Sequence, residues 1–262
     1  MIKTGIHTCY HGNLGEIRRS NLFKLQKDFE EKPSLSFKYV LAGQEEYIVD
    51  GKHVSLRKGD ALFFKDEKQY QAFVDSQEAT IGLCIDLNFD KLTTTTDLLQ
   101  ERELFLFDPE FRTQRLSFLH PTMHVILQKI GSEFNTDQLF LEESMQDLLL
   151  GIVNMEAEFQ SKITDIPVKK SSYKKELFQR LLIAKNYIHD NMRQQIQLQD
   201  IADASTISTF YMHRLFRQAF GCSPTVYLER IRMEAAKEKL NSNLSVKEVA
   251  FSVGYTDEAY FS

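Results

Sequence analysis

The sequence has few of the residues that build disulfide-linked or metal-stapled folds. Its 262 residues include three cysteines, five prolines and no tryptophan. Because Cys9, Cys84 and Cys222 are far apart and odd in number, we expect neither a disulfide framework nor a thiolate zinc site. The cysteines are therefore consistent with a reducing compartment.

Long apolar segments are also missing. No window of the sequence approaches the roughly 18 apolar residues that a membrane helix needs, and the N-terminus lacks the apolar core and cleavage site of a secretory signal. We therefore expect a cytoplasmic protein that does not associate with a membrane.

The net charge of −5 comes from 32 Lys+Arg and 37 Asp+Glu. This balance argues against nucleic-acid binding over the whole surface, because neutralising phosphates requires clustered Lys and Arg. Residues 176–262 carry 10 basic and 10 acidic side chains, so the excess acid lies entirely in the part of the chain that precedes them. A locally basic face in the second half remains compatible with this count.

Strand patterns occupy the first part of the chain. Apolar residues recur at every second position from about Ser36 to Phe89. The step Asp50-Gly51 between β-prone arms predicts a two-residue hairpin, since a type I′ turn needs positive φ at both central residues. Short strands with frequent turns predict a small β-barrel or sandwich.

Beyond residue 120 the apolar period becomes helical. Spacings of 4, 3, 4, 3 and 4 residues separate the members of one apolar stripe, which are Leu141, Met145, Leu148, Ile152, Met155 and Phe159. Two interpretations stay open for this stripe. The helix packs on its own barrel, or it forms a dimer with the same helix of a second copy.

The segment 161–175 lacks periodicity, contains Pro167 and a polar run, and is predicted to be a linker. We therefore expect one domain over residues 1–160, with strands at about 36–89 and helices at about 121–160, and a second over residues 176–262. The fold class is α+β, in which a β-barrel followed by helices precedes an all-α domain.

The last domain contains an internal repeat with a constant offset. Asp200-Ile201-Ala202 corresponds to Glu248-Val249-Ala250, and Ser208 corresponds to Thr256. Each copy predicts a helix with a small internal residue, a short turn and a second helix, which is the pattern of a helix-turn-helix. N-terminal helix signals support this, namely Ser223 before Pro224 and Ser245 three residues before Glu248.

The second helix of the first copy, residues 208–220, has two distinct faces at about 100° per residue. One is apolar, and the opposite one carries Phe210, His213, Arg214 and Arg217. That face suits the major groove of DNA, because Arg can bond guanine bidentately and an aromatic ring can pack on a thymine methyl. The alternative is a solvated basic face with Phe210 packed against a neighbouring helix.

Small and aromatic residues recur at fixed separations throughout this domain. They are Ile201-Ala202, Ser208, Met212-His213-Arg214-Leu215-Phe216, Gly221-Cys222-Ser223-Pro224, Tyr227, Arg232, Ala235-Ala236, Leu240, Val249-Ala250 and Gly254-Tyr255-Thr256-Asp257-Glu258-Ala259-Tyr260-Phe261. Over about residues 180–262 this set resembles the AraC/XylS family of bacterial transcription regulators.

The resemblance implies two helix-turn-helix units that bind successive major grooves of double-stranded DNA. It implies DNA-binding positions at Ser208, Phe210, His213, Arg214 and Arg217 in the first unit and at Asp257 and Glu258 in the second. It also implies a homodimer, and RNA polymerase as a partner if the protein is an activator. The family motif continues beyond Ser262, so we expect an incomplete second reading helix and weak DNA binding by these 262 residues alone.

The strings Tyr47-Ile48-Val49-Asp50-Gly51, Lys58-Gly59-Asp60 and Phe63-Phe64 resemble the cupin-like sensing domain attached to many AraC-type regulators. The resemblance implies a small organic effector inside the barrel. Candidate lining residues are Tyr39, Tyr47, His53, Tyr70 and Phe73. The competing interpretation is a barrel filled by its own side chains, which only packs and dimerises.

Metal-dependent cupin enzymes need a cluster of His and Glu on adjacent strands. Here His53 alone falls in the predicted strands, His7 and His11 precede them, and Pro121 separates His120 from His124. We therefore expect no metal, no cofactor and no catalytic residues. The predicted function is a sequence-specific DNA-binding regulator that senses an effector or dimerises, and the alternative is a metal-free cupin-type binding or interaction module with a non-functional DNA-binding half.

Overall fold

The computed structural model describes residues 2–12, 14–30, 35–49, 51–65, 69–87, 113–116, 121–133, 138–240 and 244–256. The chain divides into two units, residues 1–159 and residues 160–262. The first contains a β-sheet with helices, and the described part of the second is helical.

In the described part of the first unit, eight strands form one antiparallel sheet. They are β1 Ile2–His11, β2 Gly15–Glu30, β3 Leu35–Ala42, β4 Gln44–Val49, β5 Lys52–Arg57, β6 Ala61–Lys65, β7 Gln69–Leu87 and β8 Thr113–Leu116. Hydrogen-bonded neighbours follow the order β1-β2-β7-β3-β6-β8, while β4 pairs with both β7 and β5. The two longest strands, β2 and β7, pair with each other and so form the centre of the sheet.

The sheet encloses its own apolar core. Side chains from the six strands β2 to β7 meet in one cluster of Leu22, Val40, Tyr47, Val49, Leu56, Leu62, Ala72 and Val74. A flat sheet cannot bring side chains from so many strands into contact, so the sheet must curl around this cluster. This curled antiparallel sheet agrees with the predicted β-barrel.

The β4–β5 hairpin forms at the expected step. Val49 pairs with Lys52, which leaves Asp50 and Gly51 as a two-residue turn. Gly51 has a φ of 75°, in the left-handed region that a type I′ turn requires. Asp50 itself lies outside the described residues.

The strands begin at Ile2, so the predicted range of 36–89 is wrong at its start. The reason is visible in β2, where Glu16, Arg18 and Ser20 occupy alternate positions. These polar residues interrupt the apolar alternation by which a half-buried strand is recognised. Strand β8 also lies outside the predicted range.

Charged side chains share the face of the sheet that carries the core. Arg18 lies opposite Cys84, which in turn lies opposite Lys38, and residues directly opposite each other in antiparallel strands point to the same side. Two residues along β7, Asp86 accepts hydrogen bonds from Arg18 and from Ser36, the latter at 2.5 Å. The inner face therefore combines an apolar cluster with a paired charge network.

Two helices, α1 Pro121–Glu133 and α2 Gln138–Asp165, accompany the barrel. The Gln128 side chain of α1 donates to Tyr39 Oη at 3.1 Å, and Tyr10 Oη of β1 donates to Glu142 of α2 at 2.7 Å. Side-chain hydrogen bonds thus attach both helices to strands.

The apolar stripe of α2 is buried within the single chain. Leu141, Met145, Leu148, Ile152, Met155 and Phe159 are each at most 5% exposed. Side chains that are already buried cannot form the contact surface of a second copy, so the prediction that these six residues mediate dimerisation is wrong. The alternative, a helix that packs on its own chain, accounts for the stripe.

The predicted linker is mostly helical. Helix α2 continues to Asp165, and the next helix, α3, covers Ser171–Asp190. Only residues 166–170 separate them, and α2 ends just before Pro167, in agreement with the rule that a residue preceding proline avoids the helical region. The second unit continues with α4 Leu198–Ala204, α5 Thr209–Phe220, α6 Pro224–Lys239 and α7 Val246–Ser252.

The charge network predicts a pH-dependent stability. Burial disfavours the charged form of Asp86, but the charges of Lys38 and Arg18 and the hydrogen bonds from Ser36 and Arg18 outweigh it, so the pKa of Asp86 lies below its usual value. A lowered pKa in the folded state contributes stability above the unfolded pKa, about 3.9, and that stability is lost as the pH falls through the folded pKa.

We therefore expect Asp86→Asn to lower the free energy of unfolding by about 1–3 kcal/mol at neutral pH, and the difference from the unsubstituted protein to shrink towards about pH 2.5. Urea unfolding at both pH values measures this, with the exposed Asp75 of the same strand, changed to Asn, as the control. An equal loss at both pH values would show that the charge of Asp86 is not the source.

Candidate nucleic-acid interface

The first helix-turn-helix consists of α4, a short turn and α5. Ile201 and Ala202 of α4 are buried, and the Ile207 N–H donates to the carbonyl of Ala202 at 3.0 Å, which closes the turn. Ser208 is the residue before α5 and has extended backbone angles, although its side chain makes no capping hydrogen bond.

Helix α5 separates its faces as predicted. Its buried residues are Met212, Leu215, Phe216 and Ala219. On the opposite side, His213, Arg214 and Arg217 are exposed, and Phe210 is 77% exposed. The alternative in which Phe210 packs against a neighbouring helix is therefore wrong.

Tyr211 belongs to the same exposed surface, and the sequence analysis missed it. Its ring meets that of Phe210 edge-on at 5.6 Å, and the Arg214 guanidinium lies 5.1 Å from its centroid. Tyr211 and Arg214 are three residues apart, a spacing that places side chains side by side on a helix and that could have predicted this contact. Phe210, Tyr211, His213, Arg214 and Arg217 are here called the α5 surface.

Aromatic packing fixes the buried side of α5. The ring of Phe216 lies 4.7 Å from Phe220 and 5.6 Å from Tyr227, both in edge-on contacts. Phe220 also meets Phe178 of α3 at 6.2 Å. Contacts with helices on both sides in sequence hold α5 in one orientation and so direct the α5 surface outwards.

The junction between α5 and α6 uses the predicted caps. Gly221 ends α5 with a φ of 76°, and the Ser223 side chain accepts from the backbone of α6, whose first residue is Pro224. In the first turns of α6, Tyr227 is buried, with its hydroxyl 2.8 Å from His189 Nε2. Burial raises the pKa of Tyr227, so the hydroxyl stays neutral.

Helices α4 and α7 reproduce the sequence repeat. They begin at Leu198 and Val246 and end at Ala204 and Ser252, so both ends show the same offset. The hydrogen bond that closes the turn recurs at that offset, from the Tyr255 N–H to the Ala250 carbonyl at 3.1 Å. The first halves of the two units therefore have the same local structure.

One turn position has a left-handed backbone conformation in both helix-turn-helix units. Gly254 has a φ of 102°, and its counterpart in the first unit, Thr206, has a φ of 53°. Such a conformation is uncommon for a β-branched residue, and the Arg180 guanidinium donates to the Thr206 carbonyl at 2.9 Å. At Gly254 a side chain is also excluded by space, since a Cβ would lie 2.6 Å from the Met192 carbonyl oxygen.

The second helix-turn-helix begins with the predicted capping box. The Glu248 carboxylate accepts from the Ser245 backbone at 2.8 Å and from its hydroxyl at 2.7 Å. These hydrogen bonds hold the pKa of Glu248 below its usual value. Asp257 and Glu258, the predicted contacts of this unit, lie outside the described residues.

A buried arginine of α6 contacts the segment between α3 and α4 and the residues just after α7. Arg232 is 5% exposed and donates to the carbonyls of Met192 at 2.7 Å and Gln194 at 2.8 Å. Its guanidinium lies 5.4 Å from the centroid of Tyr255, just beyond α7. Arg232 therefore holds the described part of the second helix-turn-helix against α6 and against the segment between α3 and α4.

The candidate effector residues of the barrel do not line one space. Val40 belongs to the inner cluster, so its neighbour Tyr39 points to the other face, where it meets α1; burial raises the pKa of Tyr39 to about 12. Tyr47 is in the inner cluster and donates to Glu45.

Two of the remaining effector candidates, His53 and Phe73, lie on the outer face of the sheet. His53 is exposed and lies opposite Ile48, on the face away from the core. Phe73 lies opposite Glu46 on that same outer face and is half-buried. The Tyr70 side chain lies outside the described part, as does His120.

No helix in the described ranges combines the length and apolar character needed to cross a membrane.

The chain is similar to transcription regulators. Residues 201–262 match the family described as a helix-turn-helix domain. The lactose operon transcription activator of Staphylococcus xylosus is 32% identical over 80 residues, which cover 30% of this chain and 29% of that protein. The HTH-type transcriptional activator RhaS of Klebsiella pneumoniae (strain 342) is 24% identical over 229 residues, 82% of this chain and 75% of that one.

Among solved structures, an apo form of ToxT from Vibrio cholerae strain SCE256 aligns with a TM-score of 0.43 and 11% identity. The alignment covers 96% of this chain and 92% of that one.

Substitutions of two phenylalanines of α5 should have different effects on the free energy of unfolding. Phe216→Ala should lower the free energy of unfolding of the helical unit by about 3–5 kcal/mol, because a fully buried aromatic ring leaves a cavity. Phe210→Ala should change it by no more than about 0.5 kcal/mol, because the ring is exposed. Urea unfolding followed by circular dichroism measures both. Similar losses for the two variants would mean that Phe210 is packed and that the α5 surface is not free.

Proposed function

Since the chain belongs to the AraC/XylS family of transcription regulators, we propose that it regulates transcription by binding specific sites on double-stranded DNA. The observation that carries this proposal is the α5 surface, a cationic and aromatic face directed outwards from a packed helix-turn-helix. The internal repeat, in which α7 corresponds to α4, supports a second binding element on the same rigid domain.

In this proposal α5 lies in the major groove and reads base edges. Arg214 can donate two hydrogen bonds to the O6 and N7 atoms of guanine, and Phe210 can pack on a thymine methyl. His213, one residue before Arg214, faces the same groove. The Tyr211 ring beneath the Arg214 guanidinium restricts its orientation.

Arg217 lies one turn further along α5, in its last turn. We assign it to a phosphate contact, which adds affinity for any sequence and positions the helix. In the second unit Glu258 would accept from cytosine N4, while Asp257 and Glu258 together repel phosphate. The first unit therefore contributes most of the base recognition.

The barrel domain supplies sensing, assembly or both. Its inner face offers Arg18, Lys38, Ser36 and Asp86, which can exchange hydrogen bonds with a small organic effector that carries polar groups. These polar residues replace the aromatic candidates, because among the described candidates Tyr47 lies on the inner face and Tyr39, His53 and Phe73 lie on the outer face. No catalytic step or cofactor belongs to this function.

Assembly as a homodimer requires a surface other than the buried stripe of α2. Leu139 and Leu150 of α2 are 63% and 56% exposed, and their spacing along the helix, close to three full turns, places them on one face. We assign the dimer contact to this face. As an activator in the cytoplasm, the dimer would also contact RNA polymerase.

The DNA-binding proposal is tested with a duplex that the full-length gene product selects from a random pool. Arg214→Ala should weaken binding about 5- to 150-fold and relax the preference at one base position. Arg217→Ala should weaken binding to all sequences and lower the slope of log K against log salt by about 1. Lys169→Ala, which removes an exposed charge that does not belong to α5, should change neither quantity.

Two outcomes would contradict the proposal. Selection of no duplex by the unsubstituted protein would exclude specific DNA binding. Equal losses for Arg214→Ala and Lys169→Ala would show that only the total charge matters and that α5 does not read DNA.

The assigned dimer contact can be tested by introducing one charge into it. Leu150→Glu should convert a dimer into a monomer in size-exclusion chromatography with light scattering, because a carboxylate would be buried without a partner. Leu244→Glu, the same change at an exposed leucine of the other unit, should leave the mass unchanged. A monomeric unsubstituted protein, or a Leu150→Glu variant that remains a dimer, would contradict the assignment.

A further inference from the structure

The turn end of the β1–β2 hairpin brings together three side chains that can bind a metal ion. Cys9 and His11 are two residues apart on β1, so they point to the same side. Glu16 of β2 lies directly opposite His11 and therefore shares that side. The register of one hairpin thus places a thiol, an imidazole and a carboxylate at neighbouring positions.

The turn of this hairpin depends on two glycines. Gly12 and Gly15 are joined by a hydrogen bond from the Gly12 N–H to the Gly15 carbonyl at 2.8 Å. A Cβ at Gly15 would lie 2.0 Å from the Asp86 carbonyl oxygen, and one at Gly12 would lie 2.5 Å from Glu142 Oε2. At Gly15 the atom in the way belongs to the backbone, so a larger residue would displace the turn and with it His11 and Glu16, whereas at Gly12 the flexible Glu142 side chain can move aside.

The other face of β1 is held by α2. Tyr10, between the two candidate ligands in sequence, is buried and donates to Glu142. Cys9 and His11 face the opposite way and are exposed, and Glu16 is partly exposed. The three donor groups are therefore accessible to an ion from solvent while the strand that carries two of them is fixed.

The distances between the donor atoms suit a tetrahedral ion. Cys9 Sγ lies 3.0 Å from Glu16 Oε1 and 3.3 Å from His11 Nε2, and His11 Nδ1 lies 3.3 Å from Glu16 Oε2. Tetrahedral zinc with ligands at its usual bond lengths has donor-to-donor distances of about 3.3–3.6 Å. An ion uses only one nitrogen of the imidazole, and the three ligand atoms lie within 4.8 Å of one another, so the imidazole must rotate to bring that nitrogen into the coordination shell.

We propose that Cys9, His11 and Glu16 form a binding site for a divalent transition-metal ion of the zinc class. One thiolate, one imidazole and one carboxylate are ligands of the borderline type that zinc and cobalt accept, whereas calcium and magnesium prefer oxygen alone. Exposure of the cluster leaves the fourth position to water. The expectation that no metal binds rested on cysteines paired in sequence and on histidines in the barrel, and a mixed site on one hairpin meets neither pattern.

The neighbouring charges are compatible with a cation. Arg18 Nε lies 3.1 Å from Glu16 Oε1, but the same guanidinium also pairs with Asp86, so its charge is balanced within the barrel. Contact with Arg18 through Oε1 would orient the carboxylate and leave Oε2, the oxygen nearest to His11, for the ion. This site does not depend on the proposed DNA binding, since it lies in the other unit of the chain.

The experiment uses the intact, reduced protein and titrates it with cobalt(II), followed by competition with zinc(II). We expect one ion per chain, a near-ultraviolet band from thiolate-to-cobalt charge transfer, and loss of that band when zinc is added. Cys9→Ser should abolish the band. His11→Gln and Glu16→Gln should each weaken cobalt binding about 10-fold or more, because each removes one of only three protein ligands.

Matched controls remove the same residue types elsewhere. Cys222→Ser and His53→Gln should bind cobalt with the affinity of the unsubstituted protein. Thermal unfolding without metal checks that all variants fold, as expected for changes at exposed or partly exposed positions. The proposal is overturned if no thiolate band forms in the unsubstituted protein, if Cys9→Ser retains it, or if Cys222→Ser or His53→Gln loses as much binding as His11→Gln.

Discussion

The helical domain depends on the burial of one guanidinium. Arg232 is almost inaccessible to solvent, and a buried charge without partners would cost several kcal/mol. Its hydrogen bonds to the carbonyls of Met192 and Gln194 remove that cost only when α6 and this segment keep their relative positions. Tyr255, stacked against the guanidinium, donates to Glu229 of α6 at 2.5 Å. The first residues after α7 are therefore tied to α6 and to the segment before α4.

This tie has a direct consequence for DNA recognition. Two reading elements can engage successive grooves only if their separation is constant, and α6 with its buried arginine supplies that constancy in the proposed function. The left-handed Thr206 lies in the turn that leads into α5, and Gly254 occupies the same position after α7. The α5 surface is exposed because everything behind it is packed.

The barrel follows a different constraint, which is strand register. The face that encloses the apolar cluster also carries Arg18, Lys38 and Asp86, which satisfy one another within the barrel. The same register continues to the edge strand and produces the group of Cys9, His11 and Glu16. One pairing pattern thus positions both the charge network and the proposed metal site.

Much of the helical domain could be predicted because its information is local. The facing of α5 follows from residues three and four positions apart, and the capping box of Ser245 and Glu248 lies within one turn. The β4–β5 hairpin was predictable for the same reason, since its two turn residues, Asp50 and Gly51, are adjacent in sequence. Tyr211 was within reach of the same reasoning, through its spacing to Arg214.

The errors concern features whose partners are distant in sequence. Strand β2 escaped recognition because its charged inner residue Arg18 pairs with Asp86 of β7, which is distant in sequence. The stripe of α2 is equally apolar whether it packs on its own chain or on a second copy, so periodicity could not distinguish these alternatives.

The sequence by itself determined which segments of the helical domain form helices, where those helices begin and which of their faces are apolar, because caps and helical spacing act within a few residues. Only the tertiary structure decided what each apolar face contacts and which polar groups meet. Glu16 and His11 become neighbours through register, and Arg232 meets Met192, which is far from it along the chain. Such contacts depend on the packing of whole elements, which no local pattern specifies.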